Sequence, residues 1–505
     1  MGSFELRNFH IIKSIKSPFF WLCCLFGLTA KGHLEIIDTE YSLRTAKAIL
    51  ENGTMLIEPV CDETRRISPI IDGTDKIYSQ YGIGLVAIFI PIVVISKFFC
   101  VLFGIDELVL SHFLLSFYNI PFALLGLWFF KNILKSQGQD ERLATFLMIC
   151  LGLGTVFWKY VVTDFSEITQ IALLLGAIRS YTLTNDSFRW LKVFSFLNLL
   201  ILLKILYVII LPPFIILALK DGLKNKKIIL NSIHGLFCLI PAAAFLMYLN
   251  WLRFDSILQS GYGEQQTAFS FSYLQRDWFD YIFSLDRGII PYSPLLLMVP
   301  FLVKDFYFKN KSLLFLVLSI SFILYLTTSS WIGWKGGYCW GNRNVVTIVP
   351  VLTIAFAFIK WEKPLIRKMM AILLLISIPI QIIGVSLKTH EWSTIVTKLN
   401  LITDQSKIPN ELSGSVLLFK EKLNNSSGLY KSEDFVHLHG NVIDLTSYES
   451  FNGYNFWLVH ASKLFSKKYI HFISLLILIF VIFICLNIFK RFYVSHEKLY
   501  MNINE

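Results

Sequence analysis

Apolar residues along this chain fall in long unbroken runs, separated by short polar stretches rich in Lys and Arg. Ile229 to Leu249 reads ILNSIHGLFCLIPAAAFLMYL, and Tyr469 to Phe489 reads YIHFISLLILIFVIFICLNIF. About 20 mostly apolar residues cross the hydrocarbon core of a bilayer as a helix, so each run predicts one crossing. Further spans are expected at 108–130, 143–161, 289–303, 312–328, 344–359 and 370–387. The first run, Pro18 to Ala30, has no clear small-residue cleavage site and reads as an uncleaved first span. Two runs resist a single crossing. Gly82 to Phe103 carries Pro91 in its middle and sits where one more crossing would upset the parity, which predicts a re-entrant or juxtamembrane helix pair broken near Pro91. Residues 193–219 lie between two basic loops, which predicts two short helices turning near Lys204.

Composition agrees with this pattern. The chain has 505 residues, 55% of them hydrophobic and only 16% charged, against about 25% charged in soluble proteins. A net charge of +11 suggests nucleic acid at first. The cations, however, cluster beside apolar runs, as in KDGLKNKK at 220–227 and KWEKPLIRK at 360–368. That is the positive-inside signature, so no nucleic-acid partner is expected. The basic clusters place the N-terminus in the cytoplasm and residues 31–81 in a first outer loop. Residues 388–466 form a small extracytoplasmic segment with strand-like pieces such as GSVLLF, and 467–505 supply the last helix and a cytoplasmic tail. The expected fold is an all-α polytopic membrane protein of roughly 11 to 13 transmembrane helices. Most cysteines lie inside apolar runs as small hydrophobes. Cys61 and Cys339 fall in loops, and unpaired thiols are expected there ahead of a disulfide.

Charge near a membrane is costly and marks a site when it converges on one side. On this topology Asp38 and Glu40, Asp164 and Glu167, Lys204, and Arg287, Lys335 and Arg343 all converge on the outer face. Each has a plain structural alternative. Asp38 can cap an amphipathic helix over TEYSLRTAKAILEN, ended by Asn52-Gly53, with Glu40 in its first turn. Asp164 and Glu167 in TDFSE can form a reciprocal cap, and Lys204 can snorkel. Arg287 in SLDRGIIPYSP, and Lys335 and Arg343 in WIGWKGGYCWGNRN, can anchor the interface beside Trp and Tyr. Anchoring does not require Gly333, Gly336, Gly337 and Gly341 in one loop, whereas close backbone approach to a ligand does. Arginine also suits phosphate oxygens through its planar fork.

In order, IDTEYSLRTAKAILENG, KIYSQYGIGLVAIFIP, VTDFSE, the mid-run Lys204, DRGIIPYSP and GGYCWGNRN resemble the GT-C membrane glycosyltransferases. The likeness is to bacterial members related to the protein O-mannosyltransferases and the lipid A aminoarabinose transferase. It covers roughly residues 15–360 within a transmembrane domain spanning 1–387. It implies a polyprenyl-phosphate sugar as donor, a hydroxyl-bearing acceptor and an outer-loop catalytic carboxylate. Carried over by position, it implies catalytic roles for Asp38, Glu40 and Asp164. Glu167, Lys204, Arg287, Lys335 and Arg343 then serve substrate binding, with Tyr78 and Tyr81 flanking. Asp38, Glu40 and Asp164 could together ligate a divalent metal, but no metal or cofactor is expected, and the setting is a bacterial inner membrane. This chain has Asp-Thr-Glu where the family often has Asp-Glu or Asp-x-Asp, which leaves the choice between Asp38 and Glu40 open.

Chemically, a phosphate leaving group needs little protonation, so one carboxylate to deprotonate the acceptor and cations to hold the departing phosphate suffice. A flippase of lipid-linked sugars is the rival reading, and it would need charges in the middle of several spans. An O-antigen-ligase-like enzyme fits less well, because 388–466 holds His390, His437 and His439 but no arginine.

Overall fold

The computed structural model describes residues 17–59, 76–183, 188–223, 226–259, 261, 269–337, 339–389, 391–393, 410–424, 453–462 and 469–493. Cys61, His390, His437 and His439 lie outside these. The protein is an all-α polytopic membrane protein, and among the described residues seven helices are long and apolar enough to cross a bilayer. Shorter apolar helices complete the bundle, and its continuous core contains Trp158, Trp190 and Trp361.

The chain opens with α1 (Pro18–Thr29) and the amphipathic α2 (Ile37–Asn52), which stops at Gly53 in the left-handed conformation. Two short strands, β1 (Leu56–Ile57) and β2 (Ile77–Tyr78), pair antiparallel with Leu56 opposite Tyr78. Next come α3 (Ile83–Phe103) and α4 (Glu107–Leu115). The helix α3 is continuous through Pro91, so the expected break there is wrong. Pro91 lies on the exposed side of α3, where the lost hydrogen bond does not disturb packing. The chain turns instead at Gly104, another left-handed residue. Although α3 has the length and hydropathy of a span, it packs lengthwise on α2, with Tyr81 beside Tyr41 at one end and Lys97 paired to Glu51 at the other. From the turn, α4 runs back along α2, pairing Glu107 with Lys47 and His112 with Glu40. Together α2, α3 and α4 form a helical layer at one end of the bundle.

The next helices are α5 (Asn119–Ser136), α6 (Glu141–Gly154), α7 (Phe157–Val161), α8 (Glu167–Leu183) and α9 (Arg189–Leu203). Lys204 then interrupts the helix in an extended conformation (φ −152, ψ 109) before a 3-10 turn, Ile205–Ile210, and α10 (Leu211–Gly222). Arg189 at the start of α9 pairs with Asp221 at the end of α10 at 3.0 Å. The two arms therefore run back on each other, and Lys204 is the tip of a hairpin.

After it follow α11 (Lys226–Phe237), α12 (Leu239–Phe254), α13 (Phe271–Phe283), α14 (Ile289–Tyr292), α15 (Val299–Lys309), α16 (Lys311–Ser329), α17 (Ile348–Thr353) and α18 (Pro364–Ser386). The last described helices are α19 (Glu411–Leu423), α20 (Trp457–Ser462) and α21 (Ile470–Phe492). The strand expected over GSVLLF is thus a helix. Asn410 caps α19 by accepting from the Ser413 N–H, and Glu411, Gly414, Ser415, Leu418 and Lys422 bury one helical face.

The bundle has two chemically different ends. One gathers Lys131 and Lys135 on Glu141, Lys360 on Asp305, and Arg491 over the Trp21 ring. The other carries the loop after α1, the tip at Lys204, residues 162–166 and the stretch before α21.

Candidate active site

The singled-out residues divide into groups that meet and groups that do not. At the second end Arg343 donates from Nη1 to Asp38 Oδ2 at 2.8 Å. Both side chains keep about a quarter of their surface exposed, 23% and 24%. Glu167 and Lys204 interact electrostatically with each other and with both members of that pair. Tyr81 lies within electrostatic range of the Arg343 charge. Two acids and two cations therefore share one place at the end of an apolar bundle, brought from four elements: α2, α8, the α9–α10 tip and the turn opening the 343–358 helix.

Local sequence explains each placement. Gly82 and Gly84 let the start of α3 lie directly on the α9–α10 tip. A Cβ on Gly82 would sit 2.4 Å from the Leu203 carbonyl oxygen, and one on Gly84 2.7 Å from Leu203 Cα. Gly336 and Gly341 adopt φ of 77° and 62°, which only glycine takes readily. Their missing Cβ atoms also leave room for the Arg343 stem and the Tyr292 ring. These two glycines thus serve the turn and its packing, where close approach to a ligand was the expectation.

Asp38 is not the cap of α2. The capping position is Ile36, and Asp38 is the second helical residue, its side chain free to reach Arg343. The tie at the helix start comes from 128 residues away: Asp164 Oδ1 accepts from Glu35 N at 3.1 Å and Oδ2 from Ile36 N at 3.0 Å. Both Asp164 oxygens are thereby engaged outside its own helix, which replaces the reciprocal cap expected within TDFSE. Burial, then the nearby Glu35 charge, pushes the Asp164 carboxyl up to about 7, against the pull of these N–H groups.

Glu40 turns away from Asp38, as residues about 200° apart on a helix must. Its carboxylate takes Arg44 Nε and His112 Nε2, each at 2.9 Å. Burial opposes its charge, but the His112 and Arg44 contacts outweigh it and hold the carboxyl below its ordinary value. Arg287 is buried in a separate network, donating to the Gly341 carbonyl at 3.1 Å and pairing with Glu411 at 3.4 Å. Lys335 is exposed over the Trp334 ring. Tyr78 sets its ring edge-on to Phe254. Asp38, Glu40 and Asp164, which the sequence offered as one ligand set for a divalent ion, do not converge. Among the described residues no group of three or more His, Cys, Asp or Glu could hold a metal. Cys339 is a buried free thiol beside Arg287.

Sequence reasoning passed over several residues. The Arg343 guanidinium lies 5.1 Å from the Phe165 ring centroid. Tyr207 donates to Gln170 Oε1 at 2.7 Å, with Thr347 Oγ1 at 3.2 Å, in the protein interior. Gln170 and Tyr207 each follow a recognised charge by one helical turn inside an apolar run, which was a readable signal. Glu167 Oε2 and Arg343 Nε are buried without a hydrogen-bond partner among the described residues. Such orphans cost about 1–3 kcal/mol each, so a ligand that satisfies them gains that amount.

No known family description matches the sequence, and no curated protein is similar to it in sequence. Among solved structures, the chain is similar to ArnT from Cupriavidus metallidurans in the apo state, with 12% identity over 83% of this chain and 71% of that one, at a TM-score of 0.48. It is also similar to the same protein bound to undecaprenyl phosphate, with 12% identity over 80% of this chain and 69% of that one, at a TM-score of 0.47.

Proposed function

We propose that this chain is a membrane glycosyltransferase that moves a sugar from a polyprenyl-phosphate donor to an acceptor hydroxyl, inverting the anomeric carbon. The observation that carries the reading is the meeting of Asp38 with Arg343, Lys204 and Glu167 at the end of the bundle opposite its basic end. By the positive-inside rule the basic end faces the cytoplasm, so the reaction takes place on the extracytoplasmic face. A bacterial inner membrane provides that setting.

The lipid phosphate enters between Lys204 and Arg343, and phosphate oxygens satisfy the guanidinium fork, including the free Nε. Asp38 accepts the proton of the acceptor hydroxyl, whose oxygen forms the new bond to the anomeric carbon. The bond from that carbon to the phosphate oxygen breaks on the opposite face, and its electron pair leaves with polyprenyl phosphate. Glu167 Oε2 accepts from a sugar hydroxyl. Preorganised cations are the larger contribution in such a site, and a positioned base adds typically about 10²–10⁴-fold.

The test is Asp38→Asn in the purified full chain, offered synthetic polyprenyl-phosphate hexoses and pentoses with a membrane lipid extract as acceptor. Release of polyprenyl phosphate is expected to fall by at least about 10²-fold. The lost ion pair is partly exposed and worth about 1 kcal/mol or less, so the variant stays folded. A wild-type rate in the variant, or no release by the wild type from any donor, sinks the reading.

A further inference from the structure

Residues 163–165 hold the backbone on either side of Asp38 and contact the Arg343 guanidinium, and nothing in the transfer chemistry above uses them. Asp164 grips the Glu35 and Ile36 amides that launch α2, and its own carbonyl accepts from Thr39 Oγ1 at 2.6 Å. Asp38 therefore sits between two anchored points, Ile36 and Thr39. Phe165, the next residue, lays its ring beneath the Arg343 guanidinium. The loop is itself fixed from α5 and the residue before it. Tyr118 donates to the Phe165 carbonyl at 2.8 Å, and Asn119 Nδ2 donates to the carbonyls of Thr163 and Phe165 at 2.8 and 2.7 Å. Tyr118, Asn119, Thr163, Asp164 and Phe165 are all buried. So much polar matching in a short loop exceeds what joining α7 to α8 requires, since a solvated turn would do that.

We infer that Asp164 and Phe165 are positioning residues: one fixes the backbone that carries the acid, the other seats the cation that the acid and the phosphate share. The inference rests on the glycosyl-transfer reading, and it moves Asp164 out of the catalytic role the sequence suggested. Both Asp164 oxygens already accept backbone N–H groups, which commits the carboxylate to the start of α2. The two residues act on different halves of the pair. Loss of the Asp164 grip displaces Asp38 and lowers kcat. Loss of the Phe165 ring loosens Arg343 and raises KM for the lipid phosphate.

The experiment compares Asp38→Asn, Asp164→Asn, Asp164→Ala, Phe165→Ala and Phe165→Tyr in the polyprenyl phosphate release assay, on whichever donor the wild type uses fastest. Asp164→Asn keeps one acceptor oxygen and should retain measurable turnover, with the acid limb of the pH–rate profile unmoved. Asp164→Ala should lose about 10²-fold in kcat, the usual cost of an ångström of misplacement, with donor KM within about twofold. Phe165→Ala should raise donor KM about tenfold, and Phe165→Tyr should restore it. Amide hydrogen exchange at Glu35 and Ile36 in Asp164→Asn, against the wild type, reads the grip without catalysis and should speed up. Asp164→Asn as inert as Asp38→Asn, with exchange unchanged, would mark Asp164 as the chemical acid and overturn the inference. So would an unchanged kcat in folded Asp164→Ala. An active Asp38→Asn overturns the underlying reading and leaves the exchange result to judge the grip.

Discussion

Gly84 is a position where one methyl group tests how the site is assembled. The start of α3 rests on the α9–α10 tip backbone to backbone, and a Cβ at Gly84 would lie 2.7 Å from Leu203 Cα and 3.0 Å from both Leu203 N and Leu202 O. Ordinary contact begins near 3.4 Å, so the two segments must part by about 0.7 Å (3.4 − 2.7). No flexible side chain stands in the way to yield. Overpacking of this kind costs about 1–3 kcal/mol, partly offset by the gain of up to about 1 kcal/mol when Ala replaces Gly in a helix. Leu203 precedes Lys204 directly, so the shift is delivered to the ammonium that the reading gives to the lipid phosphate. Gly84→Ala should raise KM for a polyprenyl-phosphate sugar about tenfold, since sub-ångström to ångström errors in placement cost up to about 10²-fold. Gly27→Ala is the control, because a Cβ there meets nothing within 4 Å. Kinetics of donor consumption and a thermal melt in detergent for the two variants decide the matter. An unchanged donor KM in Gly84→Ala, with Gly27→Ala also unchanged, would show that the α3 contact does not set Lys204.

Arg287→Ala separates scaffold from phosphate ligand. It strands Glu411, buried with only 8% of its side chain exposed, and the loss of one partner in such a pair costs about 3–5 kcal/mol, so the melt should collapse. A stable variant with a raised donor KM would return Arg287 to the phosphate. Glu40→Gln tests the sign of a linkage. The Glu40 carboxyl is held below its ordinary value of 4.5 in the folded chain, so its contribution is present above that value and is lost as pH falls through the folded value. The wild-type melting midpoint should therefore drop as pH falls from 4.5 through the lower folded value, by more than that of Glu40→Gln; equal drops would contradict the pairing with His112 and Arg44.

The bundle was legible because a bilayer demands long apolar runs, and such runs are visible in any sequence. The break at Lys204 was legible too, since a lone ammonium in the middle of an apolar stretch must reach a surface. The course of α3 was legible only in part. Parity required something other than a plain crossing, but Pro91 drew attention away from Gly104, where the chain does turn. The helix α19 carried its signal openly in the Asn410 cap and in Glu411, Gly414, Leu418 and Lys422 at helical spacing, and the short apolar run within GSVLLF masked it. The role of Asp164 could not be read locally. Its partners, the amides of Glu35 and Ile36, are backbone groups 129 and 128 residues away, and backbone groups leave no mark on a sequence.

On the proposed reading, charge conservation explains why a carboxylate base should rest against an arginine. Asp38 and Glu167 balance Lys204 and Arg343, so the place where they meet is close to neutral at the edge of an apolar bundle, where unbalanced charge is expensive. A phosphodiester brings one negative charge into it. In the proposed transfer the acceptor proton neutralises Asp38, while the departing phosphate gains one charge. The total is the same before and after; what changes is that one unit of negative charge moves from the carboxylate to the phosphate. Arg343, bonded to the first, would on that reading also hold the second. Until a phosphate draws the guanidinium away, Asp38 is held as an ion-pair partner with its Oδ2 engaged, so on the proposed reading the arginine would couple the base to the presence of the donor.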